Sequence, residues 1–469
     1  MLIRRAEIAP AEIVDVRIND ARIVEIAPQL EARADDREID AGGHALLPGL
    51  HDHHIHLRAL AASLASVRCG SPQVVSADQL VAALAAADAR LGAGDWLRGV
   101  QYHESIAGEI DRDWLDAVLP DRPLRIQHRS GRLWILNSAA LDRLAPGADA
   151  PLESRDGRWT GRLYDADDWL RECLRSTPPS LHAASHWLAS RGVTGVTDTT
   201  HHNGPIELHT FAQARRNGQL LQTVRVMGDA RLDLCGDLPG VQRGEHKFHL
   251  HEHELPDIEG LVAAIRDSHS VGRAVAFHCV TRTDLVFALA ALREAGPLKG
   301  DRIEHAAIAP PELVEQIAAL KLIVVTQPNF IAERGDDYLR DVDAADQPWL
   351  YRLRGFTDAG VPLAGSTDAP FGGADPWSSM QAAVTRCTPS GATLGGGEAL
   401  QPTAALNLFL SPLEAPALSP RRIEIDATAD LCLLDRGHDA ALLALDAARV
   451  QLTLVAGRVI HDAEREPAP

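Results

Sequence analysis

The sequence contains no run of about 18 apolar residues, so it predicts no helix that crosses a membrane. Its opening stretch, Met1 to Val16, alternates charged and apolar side chains and lacks the continuous apolar core of a secretory signal. Cysteine is sparse: Cys69, Cys173, Cys235, Cys279, Cys387 and Cys432 show no paired spacing. That pattern fits reduced thiols in a cytoplasm better than a disulfide framework. Positive charge is in deficit, with a formal net charge of −19, and aromatic residues make up only 4%. Both argue against a chain that wraps nucleic acid, stacks bases or coats an anionic membrane. Low-complexity segments and fixed-period repeats are also missing. A cytoplasmic protein acting on a small molecule is the expectation that remains.

What the chain does have is length, an ordinary globular composition and histidine. Its 469 residues, 45% hydrophobic and 24% charged, suit a large enzyme fold with an accessory domain. Short strand patterns open the chain, at 13–18 and 22–26, with Asn19-Asp20 as a hairpin turn. Similar patterns close it, at 429–434, 450–455 and 456–460. The two ends, residues 1–45 and 424–469, are expected to pair into one composite β-sandwich domain.

Between them, eight apolar runs read as buried parallel strands: 45–50, 193–197, 223–227, 246–250, 274–277, 302–304, 322–326 and 361–364. Helical stretches such as 255–268, 282–294 and 311–320 separate several of them. Strand–helix alternation of this kind predicts an α/β fold, a (β/α)8 or TIM barrel over residues 46–423, with its chemistry at the strand C-termini. About 140 residues separate the first two runs, far beyond an ordinary connection. Residues of about 65–185 are therefore expected to form an inserted α/β subdomain that covers the barrel mouth and shapes substrate choice.

Histidines gather where the strands end. The first run leads into Pro48-Gly49-Leu50-His51-Asp52-His53-His54-Ile55-His56. Residues two apart in an extended chain point the same way, so His54 and His56 can share one cation, while His51 and His53 face elsewhere. His278, His305 and Asp368 each stand at the end of another run. A single histidine on an apolar strand is more often a satisfied core residue than a ligand. Parallel barrel strands, however, aim their C-terminal ends at one point, and that makes the joint arrangement informative. Lys247 interrupts an apolar strand, and either lies exposed at an edge or is buried and chemically changed.

This set of motifs, together with Arg302-Ile303-Glu304-His305-Ala306 and Ser366-Thr367-Asp368-Ala369-Pro370, resembles the amidohydrolase superfamily, and within it the amidohydrolase-3 branch. Thr194-Gly195-Val196-Thr197-Asp198 is similar to that family's second strand, and Leu136-Asn137-Ser138-Ala139-Ala140-Leu141 to its insertion. The resemblance implies that His54 and His56 bind a buried divalent metal, Zn2+ in the first instance. It implies that Lys247 is an N6-carboxylysine bridging to a second metal held by His278 and His305. Asp368 would contact the attacking water and shuttle its proton. The chain departs from the family at His53, at Arg132, and at the run His249-Leu250-His251-Glu252-His253, which offers an additional or alternative metal site.

The expected chemistry is hydrolysis of a C–N bond, an amide or cyclic amide, by metal-activated hydroxide with Asp368 as proton shuttle. Two rivals stand beside it: deamination of a heterocycle at a single metal with Lys247 unmodified, and a metal-binding regulator without catalysis. Tyr102, His103, His128, Arg132 and Trp134 of the insertion, and Tyr338 in a loop after the seventh run, are the candidates to contact substrate. Arg132 would suit a carboxylate by bidentate hydrogen bonding, or be an ordinary surface arginine. Barrels of this size often pair, so a homodimer is the expected assembly.

Overall fold

A computed structural model describes residues 1–71, 73–92, 94–174 and 179–465. The chain divides into two compact units, one of residues 1–57 and 181–469, the other of residues 58–180.

The larger unit holds eight parallel strands: β1 (Leu50–Ile55), β2 (Val193–Asp198), β3 (Thr223–Gly228), β4 (Val241–His249), β5 (Val275–Cys279), β6 (Arg302–His305), β7 (Ile323–Thr326) and β8 (Leu363–Gly365). They lie in sequence order, each paired in parallel with the next. The sheet is nearly closed into a barrel. After β8 the chain returns to β1, where Asp368 N–H donates to His54 O at 2.9 Å and His56 N–H to Ala369 O at 2.8 Å. Crossover helices such as Ile258–Ser270, Arg282–Ala295 and Pro311–Ala319 bury Leu261, Ile265, Leu285, Leu289, Leu292, Leu313 and Ile317. Thr281 and Asp284 cap the second of these reciprocally, which fixes where that helix begins.

The first apolar run divides between two sheets, which corrects the expected first barrel strand. Leu46–Pro48 pairs with Leu431–Leu434 outside the barrel, and β1 begins at Leu50, so His51 to His54 lie within the strand rather than after it. Gly49 between them leaves no room for a side chain, because an added Cβ would sit 2.1 Å from Thr194 Cγ2. Leu46–Pro48, Leu431–Leu434, Val450–Val455 and Arg458–Asp462 make one four-stranded sheet. Leu2–Ala9, Glu12–Asn19, Arg22–Ala27 and Glu38–Asp40 make another. Ile3, Val16, Ile18, Ile23, Leu46, Leu431, Leu433, Leu452 and Leu454 form a single core between them. Both chain ends therefore contribute to one sandwich, with residues 466–469 outside the described residues.

The insertion, Arg58–Ser180, has its own six-stranded sheet, in which Leu97–Tyr102 and Leu124–His128 run parallel. The alanine-rich helix Ala77–Asp88 packs Leu80 and Leu84 into this unit's core. No helix among the described residues is long and apolar enough to cross a membrane.

Candidate metal centre

The ends of β1, β4, β5 and β6 and the turn after β8 bring the barrel's polar groups together. His54 Nε2 and His56 Nε2 each lie 3.4 Å from Asp368 Oδ1, and the three ligand atoms fall within 4.8 Å of one another. The remaining nitrogen of each imidazole is tied down. His54 Nδ1 meets Glu304 Oε2 at 2.5 Å, and His56 Nδ1 meets Thr200 Oγ1 at 3.0 Å. Such partners fix the ring and leave Nε2 free as a ligand.

His305 stands alongside. Its ring centroid is 4.7 Å from that of His54 and 4.5 Å from that of His278, and its Nδ1 contacts Gln327 Oε1 at 2.7 Å. His305 and Asp368 both hold positive φ, 68° and 55°, a conformation that side chains other than glycine adopt at a cost and that clusters at functional sites.

The donor set fits a divalent cation. Asp368 Oδ1, His305 Nε2 and Lys247 Nζ are all buried without a hydrogen-bond partner, an arrangement that is expensive unless something else satisfies these atoms. Imidazole and carboxylate oxygen together suit Zn2+ and its neighbours in the first transition row.

Electrostatics match that reading. Burial lowers His54 to about 3 and pushes His278 and His305 down as well, so these imidazoles are neutral and able to ligate. Burial alone would raise the Asp368 carboxyl, but His54, His56 and His305 hold it below the usual carboxylate range. Burial brings Lys247 down to about 8, with Glu304 partly opposing, which enlarges the fraction present as neutral amine.

Three contributors escaped the sequence reading. Glu304, fully buried, receives Arg302 Nε at 2.5 Å and His54 on its two oxygens, and Arg302 also donates to His53 O at 2.8 Å. Asp52 accepts from the Thr367 N–H at 3.1 Å, from the Thr367 hydroxyl at 2.5 Å and from the His54 N–H at 3.2 Å, and so ties β1 to the turn carrying Asp368. Gln327 orients His305 and donates to Ser366 Oγ at 2.9 Å. The motif Arg302-Ile303-Glu304-His305 carried the only signal, an ion pair two residues apart in a buried strand.

His51 and His53 turn away from the cluster, as expected, and both contact Ser411. His249 and His251 have ring centroids 4.4 Å apart, and His249 lies 4.3 Å from His278. Their ligand atoms do not join the three-atom group of His54, His56 and Asp368.

The candidates for substrate contact lie in the following settings. Tyr102 is buried in the insertion's core and donates to Gly108 O at 2.5 Å. Trp134 is buried in the same unit, its Nε1 donating to Asp167 Oδ1 at 2.9 Å, with the guanidinium groups of Arg98 and Arg125 over its ring. Arg132 makes a bidentate pair with Asp165 at 2.8 and 2.6 Å, which occupies the fork a carboxylate ligand would use. His128 contacts Glu104 at 3.1 Å. Tyr338 belongs to the helix Asn329–Asp341 rather than a loop, and packs 5.9 Å from the Tyr351 ring beside Phe330.

A nearly closed parallel barrel with a His–His–Asp cluster at its strand ends defines a class of protein, the barrel hydrolases that work with a divalent metal. Residues 37–461 match the Amidohydrolase family, and the chain belongs to it. It is accordingly an amidohydrolase-type, metal-dependent hydrolase of carbon–nitrogen bonds, and the alternative of a metal-binding regulator without catalysis falls away.

An N-substituted formamide deformylase of Arthrobacter pascens is 26% identical over 486 residues, spanning 90% of each chain. An uncharacterized metal-dependent hydrolase of Pyrococcus horikoshii superposes with a TM-score of 0.74 at 20% identity, over 93% of this chain and 97% of that one. Its counterpart from Pyrococcus furiosus gives 0.71 at 22% identity, over 93% and 98%. At such identities the two structures bear on the fold.

Proposed function

We propose that the chain hydrolyses a small-molecule amide, with His54, His56 and Asp368 holding the first metal and Asp368 moving the proton. The convergence of two imidazole nitrogens on one buried, unpartnered carboxylate oxygen carries this reading. A bound divalent cation would acidify water and polarise the substrate carbonyl. Asp368 takes a proton from the attacking water as its oxygen bonds to the carbonyl carbon. The same carboxyl returns that proton to the leaving nitrogen as the C–N bond breaks, giving a carboxylic acid and an amine, and the acid then ionises by releasing its proton to solvent or to the amine. Glu304 and Thr200 keep His54 and His56 in register throughout.

Lys247, as a carbamate formed when its neutral amine adds carbon dioxide and releases a proton, would join His278 and His305 in holding a second metal. The support is its buried Nζ, which has no hydrogen-bond partner. An amide substrate is favoured by the Arthrobacter pascens relative, because an N-substituted formamide is itself an amide.

A single-metal deaminase with Lys247 unmodified is the second reading, favoured by the three ligands that already form one complete group. Turnover on a panel of N-substituted formamides, cyclic amides and amino-heterocycles tests both. Asp368→Asn is expected to lose at least about 100-fold in turnover while His54 and His56 retain metal. Undiminished turnover in Asp368→Asn would overturn the proton-shuttle assignment. Ammonia release from heterocycles alone would select the deaminase.

A further inference from the structure

We infer that the insertion carries a metal site of its own, in which His103, Glu104 and His128 hold a divalent transition cation. Leu97–Tyr102 and Leu124–His128 run parallel, with Tyr102 opposite His128. The register between them slips after Gly99, and Gln101 in the slip has φ +66°. Such a bulge re-aims the residues that follow it. Here it brings His103 and Glu104, just beyond one strand end, to His128 at the end of its neighbour.

Glu104 Oε2 lies 3.1 Å from His128 Nε2 and 3.6 Å from His103 Nε2, and the three ligand atoms fall within 4.8 Å of one another. Ligands about 2.05 Å from a tetrahedral zinc are about 3.3 Å apart, and the two measured separations bracket that value.

Both imidazoles are held the same way from behind. His103 Nδ1 meets Ser105 Oγ at 2.9 Å, and His128 Nδ1 meets Ser130 Oγ at 2.7 Å. The backbone N–H of the same serine donates to Nδ1 of each ring, at 3.2 and 3.1 Å. In that arrangement Nε2 carries the ring proton toward Glu104, so a cation at Nε2 requires that proton to move to Nδ1, where the serine hydroxyl can accept it.

Side-chain exposures of 22%, 39% and 15% for His103, Glu104 and His128 leave the cluster reachable from solvent. Three protein ligands leave one position for water or an exchangeable group, the pattern of open rather than closed zinc sites.

Zinc and cobalt titrations of the full-length chain test this inference. His103→Ala/His128→Ala is expected to bind one equivalent less than the wild-type chain. Glu104→Gln, which keeps a hydrogen-bonding side chain between the two rings, is expected to weaken that equivalent at least tenfold. His54→Ala/His56→Ala is expected to retain it, so the outcome stands apart from the barrel assignment. The cobalt form of the wild-type chain should show a d–d absorption that Glu104→Gln diminishes. Equal metal binding by wild type, His103→Ala/His128→Ala and Glu104→Gln would overturn the inference and leave a carboxylate that shares protons with two imidazoles.

Discussion

At the scale of single residues, the centre depends on groups that never touch the metal. Glu304 fixes His54 while balancing the buried Arg302. Replacing it with glutamine keeps the shape and removes the charge that sets His54's tautomer. Metal affinity is expected to fall about 10–100-fold, read by competition with a chromogenic chelator, whereas unchanged affinity would remove Glu304 from the account. His54, His56, His305 and Asp368 were legible because each follows an apolar run, and a barrel gathers strand ends. Glu304, Asp52 and Gln327 were not, because their roles arise from partners 250, 315 and 22 residues away. Arg132 stayed open between a substrate contact and a surface arginine for the same reason: the carboxylate it grips, Asp165, stands 33 residues on in its own chain.

Elements repeat that lesson. The eight strands could be read from composition, since a parallel strand buried on both faces is a continuous apolar run. The run at 45–50, however, serves two sheets, and hydropathy does not register the break at Pro48-Gly49. Gly49 is where β1 passes Thr194. Gly49→Ala is expected to destabilise the fold by about 1–3 kcal/mol through overpacking, seen as a lower urea midpoint with unchanged slope. Arg334-Gly335-Asp336-Asp337 looked like a loop from its glycine and acidic pair, yet it lies in a helix. Gly335 is there because Thr388 packs against it, a Cβ at that point meeting Thr388 Cγ2 at 2.5 Å. Local turn chemistry lost to tertiary packing.

At the scale of the whole molecule, the nearly closed α/β barrel was foreseen, and the chain divides into compact units of residues 1–57 with 181–469 and of residues 58–180. A cation bound by groups from β1 and the turn after β8 would clamp the two sides of the barrel's closure. Chelation is therefore expected to lower the thermal midpoint and divalent metal to restore it, by about 2.7 kcal/mol at a free concentration a hundredfold above Kd. A midpoint indifferent to chelator would mean that the cluster holds nothing in the native state. The most direct test of the central claim is the metal content per chain of the wild-type protein beside His54→Ala/His56→Ala, both purified with zinc present. The account predicts that the variant loses at least one equivalent that the wild-type chain holds. Equal content in the two chains would contradict it.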